Sequence, residues 1–92
     1  MKKFGAVLTS RQAGREAYAA YSPHLVTLGK NDDLNLNFEG VEALSPSWAD
    51  EVLTPFLERF GKRLILSSTN NPSVKLTIKT LEQILGKKFK IH

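Results

Sequence analysis

The stretch from Leu34 to Phe60, LNLNFEGVEALSPSWADEVLTPFLERF, constrains the fold more than any other part of this chain. Leu34, Leu36 and Phe38 alternate with Asn35 and Asn37, so the apolar side chains share one face of a strand. Glu39-Gly40 turns the chain, and Ser45-Pro46 opens a helix. Serine is a favoured N-cap, and proline suits the first helical position because its missing N–H would have no helical acceptor there. Beyond it Trp48, Val52, Phe56 and Phe60 recur once per turn, with Ala49, Leu53 and Leu57 beside them, giving a broad apolar face. Strand, loop and capped helix follow from spacing alone. A catalytic group does not.

The flanks extend this pattern. Phe4 to Leu8 is an apolar run that predicts an inner strand, with Gly5 weakening it. Thr9-Ser10 offers an N-cap, and Ala13, Ala17, Ala20, Tyr21 and Leu25 continue at helical spacing, small residues suited to close packing on a sheet. Pro23 should kink this helix or split it after Tyr21. Gly29 suits a helix C-terminus, and Lys30-Asn31-Asp32-Asp33 reads as a polar turn. Pro55 deprives the Glu51 carbonyl of its helical donor, so a bend is expected there. Gly61 ends the central helix, and Lys62-Arg63 opens the next strand. Leu64-Ile65-Leu66, apolar at consecutive positions, predicts burial on both faces.

After the polar loop Ser67 to Asn71, two periods compete. Val74, Leu76 and Ile78 alternate as in a strand, whereas Val74, Ile78, Leu81 and Leu85 repeat as in a helix. The second pattern is longer and is bounded by Pro72 and Gly86, so a helix is expected. Lys87-Lys88-Phe89-Lys90-Ile91 reads as an edge strand whose lysines discourage edge-to-edge pairing. The sum is an α/β layered fold, a mixed sheet of three to four strands with three crossover helices.

With 92 residues, 41% of them apolar, the chain makes one domain with a core of its own. The absence of cysteine excludes a disulfide framework, a thiolate zinc site and a cysteine nucleophile. No apolar run approaches the roughly 18 residues of a membrane span, and Met1-Lys2-Lys3-Phe4 has no apolar segment after it, so a cytoplasmic protein is expected. The net charge of +4 raises nucleic acid as a partner. Its positives fall in separate pairs, Lys2-Lys3, Lys62-Arg63 and Lys87-Lys88, without interleaved aromatics, and a solvated basic surface is the favoured reading.

Leu36-Asn37-Phe38-Glu39-Gly40-Val41-Glu42 and then Ser45-Pro46-Ser47-Trp48-Ala49-Asp50-Glu51-Val52, with Ser10-Arg11 upstream, resemble the signature of the STAS-like domains of unknown function. These are small bacterial relatives of the sulfate-transporter and anti-sigma-factor-antagonist domains, and the likeness runs from Leu8 to Leu85. Asn37 stands where that family usually has Asp, and Trp48 where Phe is common. The resemblance implies helices gathered mainly on one face of the sheet. It also implies a non-enzymatic interaction module in signalling, with a partner of the histidine-kinase-type ATPase fold.

Aligned through Gly40-Val41, the serine that such antagonists present for phosphorylation falls on Ser47. A phosphate there would sit in the first helical turn, near unpaired N–H groups. However, Ser45 replaces the Asp before that acceptor, Pro46 replaces the intervening Ser, and Asp50 and Glu51 would repel a dianion, so simple helix-start chemistry is favoured.

Asp50 and Glu51 invite an acid/base reading, but adjacent helical side chains diverge by about 100° and make no convergent pair by themselves. A salt bridge from one of them to Arg11 is expected instead. The candidate partner surface is therefore Ser10, Arg11, Ser45, Ser47, Asp50 and Glu51. His24 and His92 are the only imidazoles and have no ligand spacing, so neither a metal nor a cofactor is expected. Trp48, on the apolar stripe, is read as core rather than as an exposed anchor.

Overall fold

Side-chain caps fix where each helix starts. Ser10 Oγ accepts the Ala13 N–H (3.2 Å) and begins α1, Arg11–Tyr21. Ser45 Oγ accepts the Trp48 N–H (3.2 Å) and begins α2, Pro46–Phe60. Asn71 Oδ1 accepts from Ser73 (2.8 Å) and Val74 (3.4 Å) and begins α3, Pro72–Leu85. In this computed structural model residues 1–27, 29 and 32–92 are described, without the side chains of residues 2, 26 and 27. The Lys30-Asn31 part of the expected turn lies outside the described residues.

Five short strands accompany the three helices: β1 Val7–Leu8, β2 Leu34–Asn37, β3 Ala43–Leu44, β4 Leu64–Ser67 and β5 Lys90–Ile91. The α/β class holds, with the strands divided between two sheets and every pair parallel. β1 lies beside β3, with Val7 opposite Ala43 and Leu8 opposite Leu44. The second sheet has the order β2-β4-β5, with Leu34 opposite Leu64, Asn37 opposite Ser67 and Ile65 opposite Lys90. The crossovers from β2 to β4 and from β4 to β5 step in the same direction, and right-handed crossovers then put α2 and α3 on one face. Burial agrees. Leu34, Leu36, Leu64 and Leu66 are buried under the helices, while Asn35 and Asn37 face out.

α2 is the centre of the core. Trp48, Val52, Leu53 and Phe56 are at most 1% exposed, and the Phe56 ring lies 4.9 Å from that of Tyr18 and 5.9 Å from that of Tyr21. Pro55 sits inside α2, which runs on past it to Phe60. Pro23 ends α1 as expected, with a 3-10 turn, Ser22–Thr27, following Tyr21. The segment from Val74 to Leu85 is helical throughout, and Gly86 closes it at φ +67°, a left-handed conformation that costs glycine no Cβ clash.

Four local expectations are corrected. Phe4 to Leu8 is not one strand, because Lys2–Phe4 forms a 3-10 turn, Gly5 takes φ +117°, and pairing starts only at Val7, which is 62% exposed. Phe4 is drawn off the strand line by packing 6.3 Å from both the Tyr21 and Trp48 rings. β3 replaces part of the expected loop before Ser45. Lys62-Arg63 belongs to a 3-10 turn, Gly61–Arg63, and Ile65 is half-buried, so β4 is fully covered on only one face. Finally, the small face of α1 packs closely on α2 rather than on a sheet. The residue in the contact is Gly14, where an added Cβ would stand 2.7 Å from the Trp48 carbonyl oxygen.

Candidate functional site

β1 and β3 run side by side and each exits into a helix start, so the first turns of α1 and α2 are brought together. The Ser45 N–H donates to the Leu8 carbonyl (2.9 Å), and Ser45 Oγ donates to the Thr9 carbonyl (2.8 Å) while it caps α2. One hydroxyl thus fixes both helix starts. Gly14 then lets α1 lie close enough to α2 for Arg11 to reach across.

Arg11 Nη1 donates to Asp50 Oδ2 (3.1 Å) and to Glu51 Oε1 (2.9 Å), and Arg15 Nε lies 3.8 Å from the same Glu51 oxygen. The expected salt bridge is present and engages both carboxylates. Their angular divergence along α2 is spanned because Arg11 comes from the neighbouring helix and lies between them. Thr54 Oγ1 donates to the other Asp50 oxygen (2.7 Å). That bond, reinforced by Arg11, holds the Asp50 carboxyl below its ordinary value against the opposing effect of desolvation. Glu51 and Asp50 in turn raise the Arg11 guanidinium above its own. Asp50, held low, and Arg11, held high, therefore both stay charged near neutrality.

Ser47 is half-buried in the first turn of α2, and its hydroxyl has no hydrogen-bond partner among the described residues. Beside this ridge runs a groove of about 350 Å³ lined by Phe4, Val7, Ser10, Ala13, Ala17 and Trp48. Trp48 is 1% exposed and packs in the core. Ser10 and Ser45 cap the two adjoining helix starts and Ser47 lies in the first turn of α2, while Arg11, Asp50 and Glu51 form one ion-paired cluster. Gly14 and Thr54 complete it, and the sequence reading missed both. A glycine inside an otherwise alanine-rich helix was the available signal for the first; nothing marked the second.

The basic pairs separate. Lys62 joins Lys87, Lys88 and Lys90 around a groove of about 620 Å³ floored by Leu57 and Phe89. Lys3 instead lies over the Tyr21 ring, and Arg63 donates to the Gly29 and Asp32 carbonyls. The Lys2 side chain lies outside the described residues. His24 and His92 are both exposed, and no cluster of three potential metal ligands occurs among the described residues. No described helix is long and apolar enough to cross a membrane. No family model, curated protein or solved structure matches the chain.

Proposed function

We propose that this chain is a STAS-like protein-interaction module of bacterial signalling that works in the cytoplasm with a partner of the histidine-kinase-type ATPase fold. The observation that supports this reading is the convergence of Ser10-Arg11 with Ser45 to Glu51. These signature stretches lie far apart in sequence yet meet in one polar ridge beside a groove of mixed polarity. Cross-bonded side chains lose little further freedom when a partner docks, so such a ridge is preorganised. Ser47 stays in this reading as a helix-start residue. Transfer of a γ-phosphoryl group from ATP to its hydroxyl is the regulatory step that the resemblance implies.

The test is a pull-down from host lysate with wild type and Glu51→Lys, read by mass spectrometry, with circular dichroism to show that both are folded. The reading expects an ATPase-fold protein that wild type retains and the variant loses. Incubation of that protein with ATP should then add one phosphate to wild type and none to Ser47→Ala. Identical protein capture by wild type and Glu51→Lys would overturn the proposed surface. A second reading, a small nucleic-acid-binding domain, is favoured by the grouping of Lys62 with Lys87, Lys88 and Lys90. It predicts recovery of nucleic acid by both proteins alike, with binding that falls steeply as salt rises. Against it, Phe89 is only 6% exposed and offers no stacking surface.

A further inference from the structure

At the carboxyl end of β4 the chain does something its sequence does not require. Ser68 takes φ +55°, the one positive φ at a non-glycine residue among those described, and swings the backbone out of the strand. Thr69 follows and is only 7% exposed as a residue, but its hydroxyl, which has no partner among the described residues, is open to solvent. Strained backbone collects at ligand sites. Thr69 lines a groove of about 610 Å³ between this loop and α3. That volume falls in the range of small-molecule sites, and the carboxyl ends of parallel strands are where open α/β sheets hold ligands.

The far wall carries the charge. Lys75 and Lys79 are one helical turn apart on α3 and share a face, and both line the groove. Neither is ion-paired with a carboxylate among the described residues. The acid on the wall, Glu82, accepts the Phe89 N–H (2.8 Å). Ile78 supplies apolar surface between the lysines, and Asn70 adds an amide beside Thr69. No Phe, Tyr or Trp lines the groove, and His92 is the one aromatic ring among its lining residues.

We propose that this groove binds a small phosphomonoester, its phosphate between Lys75 and Lys79 and its hydroxylated body against Thr69 and Asn70. Two ammonium groups match a dianion better than a single carboxylate, and the Thr69 hydroxyl can exchange its water for a hydroxyl of the bound body. The site is separate from the Arg11 ridge and does not depend on the interaction reading.

The test is a titration of the nitrogen-labelled chain with glycerol phosphate, with inorganic phosphate and glycerol as controls, followed by amide NMR shifts. Saturable shifts at Ser68, Thr69, Asn70, Lys75 and Lys79 are expected with glycerol phosphate, weaker ones with phosphate, and none with glycerol. Lys75→Gln combined with Lys79→Gln should weaken binding about tenfold or more, the scale expected for lost charge-assisted bonds. Thr69→Val should weaken it several-fold and Thr69→Ser should not, which separates loss of the hydroxyl from damage to the fold. Shifts that rise without saturation and extend equally to Lys62, Lys87 and Lys88 would overturn the proposal. So would binding unchanged in the double lysine variant. A single-stranded oligonucleotide that moves the Lys87-Lys88 amides, while glycerol phosphate leaves the loop unmoved, would assign the basic surface to nucleic acid instead.

Discussion

Gly14→Ala should destabilise this protein, although glycine-to-alanine changes inside helices normally do the reverse. At an unhindered interior position alanine is favoured by about 1 kcal/mol. At Gly14 the added methyl would stand 2.7 Å from the Trp48 carbonyl oxygen, 3.0 Å from Trp48 Cα and 3.2 Å from Glu51 Cβ. The first two are backbone atoms in the opening turns of α2, held by the Ser45 cap and by a Trp48 side chain only 1% exposed. They cannot swing aside as a side chain would, so α1 and α2 must separate.

Overpacking of this kind costs about 1–3 kcal/mol, and subtracting the propensity gain of about 1 kcal/mol leaves a net loss of up to about 2 kcal/mol. For a chain of 92 residues each kcal/mol is worth about 4–8 °C, so Tm should fall by up to roughly 16 °C. Urea and thermal melts followed by Trp48 fluorescence and circular dichroism measure it. Ala19→Gly, on the exposed side of the same helix, supplies the propensity term alone, about 1 kcal/mol of destabilisation. A Gly14→Ala protein that melts at or above wild type would refute the claim that close helix contact sets this interface.

Thr54→Val removes the main bond that lowers the Asp50 carboxyl, so NMR titration should show that carboxyl moving up; an unmoved midpoint would show that Arg11 suffices. Because the folded-state value lies below the unfolded one, Asp50 contributes stability above about pH 4 that is lost as pH falls through the folded value, and Thr54→Val should flatten that acid limb. Ser45→Ala should cost about 1–2 kcal/mol in urea unfolding, the upper part of the capping range, because the hydroxyl also holds Thr9; a loss under about 0.5 kcal/mol would contradict that double role. Phe56→Ala should cost about 3–5 kcal/mol, read as a large drop in the urea midpoint, since the ring is fully buried; a change below about 1 kcal/mol would mean the α2 core packs differently.

The long elements were legible because each carries its own local evidence. Ser45, Asn71 and Gly86 mark helix ends by chemistry that acts within one turn, and the apolar stripe of α2 spans four turns of consistent spacing. β1 and β3 were harder, because a two-residue strand has no measurable period and exists only through its partner. Val7 pairs with Ala43 across the chain, and neither residue announces it. The same limit applied to the site. Ser10, Arg11, Ser45, Asp50 and Glu51 were visible as residues that share a signature, and the Arg11 pairing could be anticipated from them. That a single guanidinium nitrogen would hold both carboxylates depends on the approach of two helices, which Gly14 sets through an absent side chain. The groove beside Thr69 exists only once α3 has packed, so no local pattern in the Ser67 to Asn71 loop announces it.

Leu44 shows how the two sheets are joined. Its strand partner is β1, and no strand-to-strand hydrogen bond links the β1-β3 pair to β2-β4-β5 among the described residues. On its other side, the Leu44 N–H donates to Ser73 Oγ (3.1 Å), and its carbonyl accepts from Ser73 Oγ (3.4 Å) and Thr77 Oγ1. α3 thus acts as a side-chain surrogate for a missing neighbouring strand. Two hydroxyls, and no ladder, close this seam over a core that Leu8 and Leu44 share with Leu34, Leu64 and Val74. The Leu44 amide is its built-in gauge: its hydrogen exchange times how often that N–H parts from Ser73.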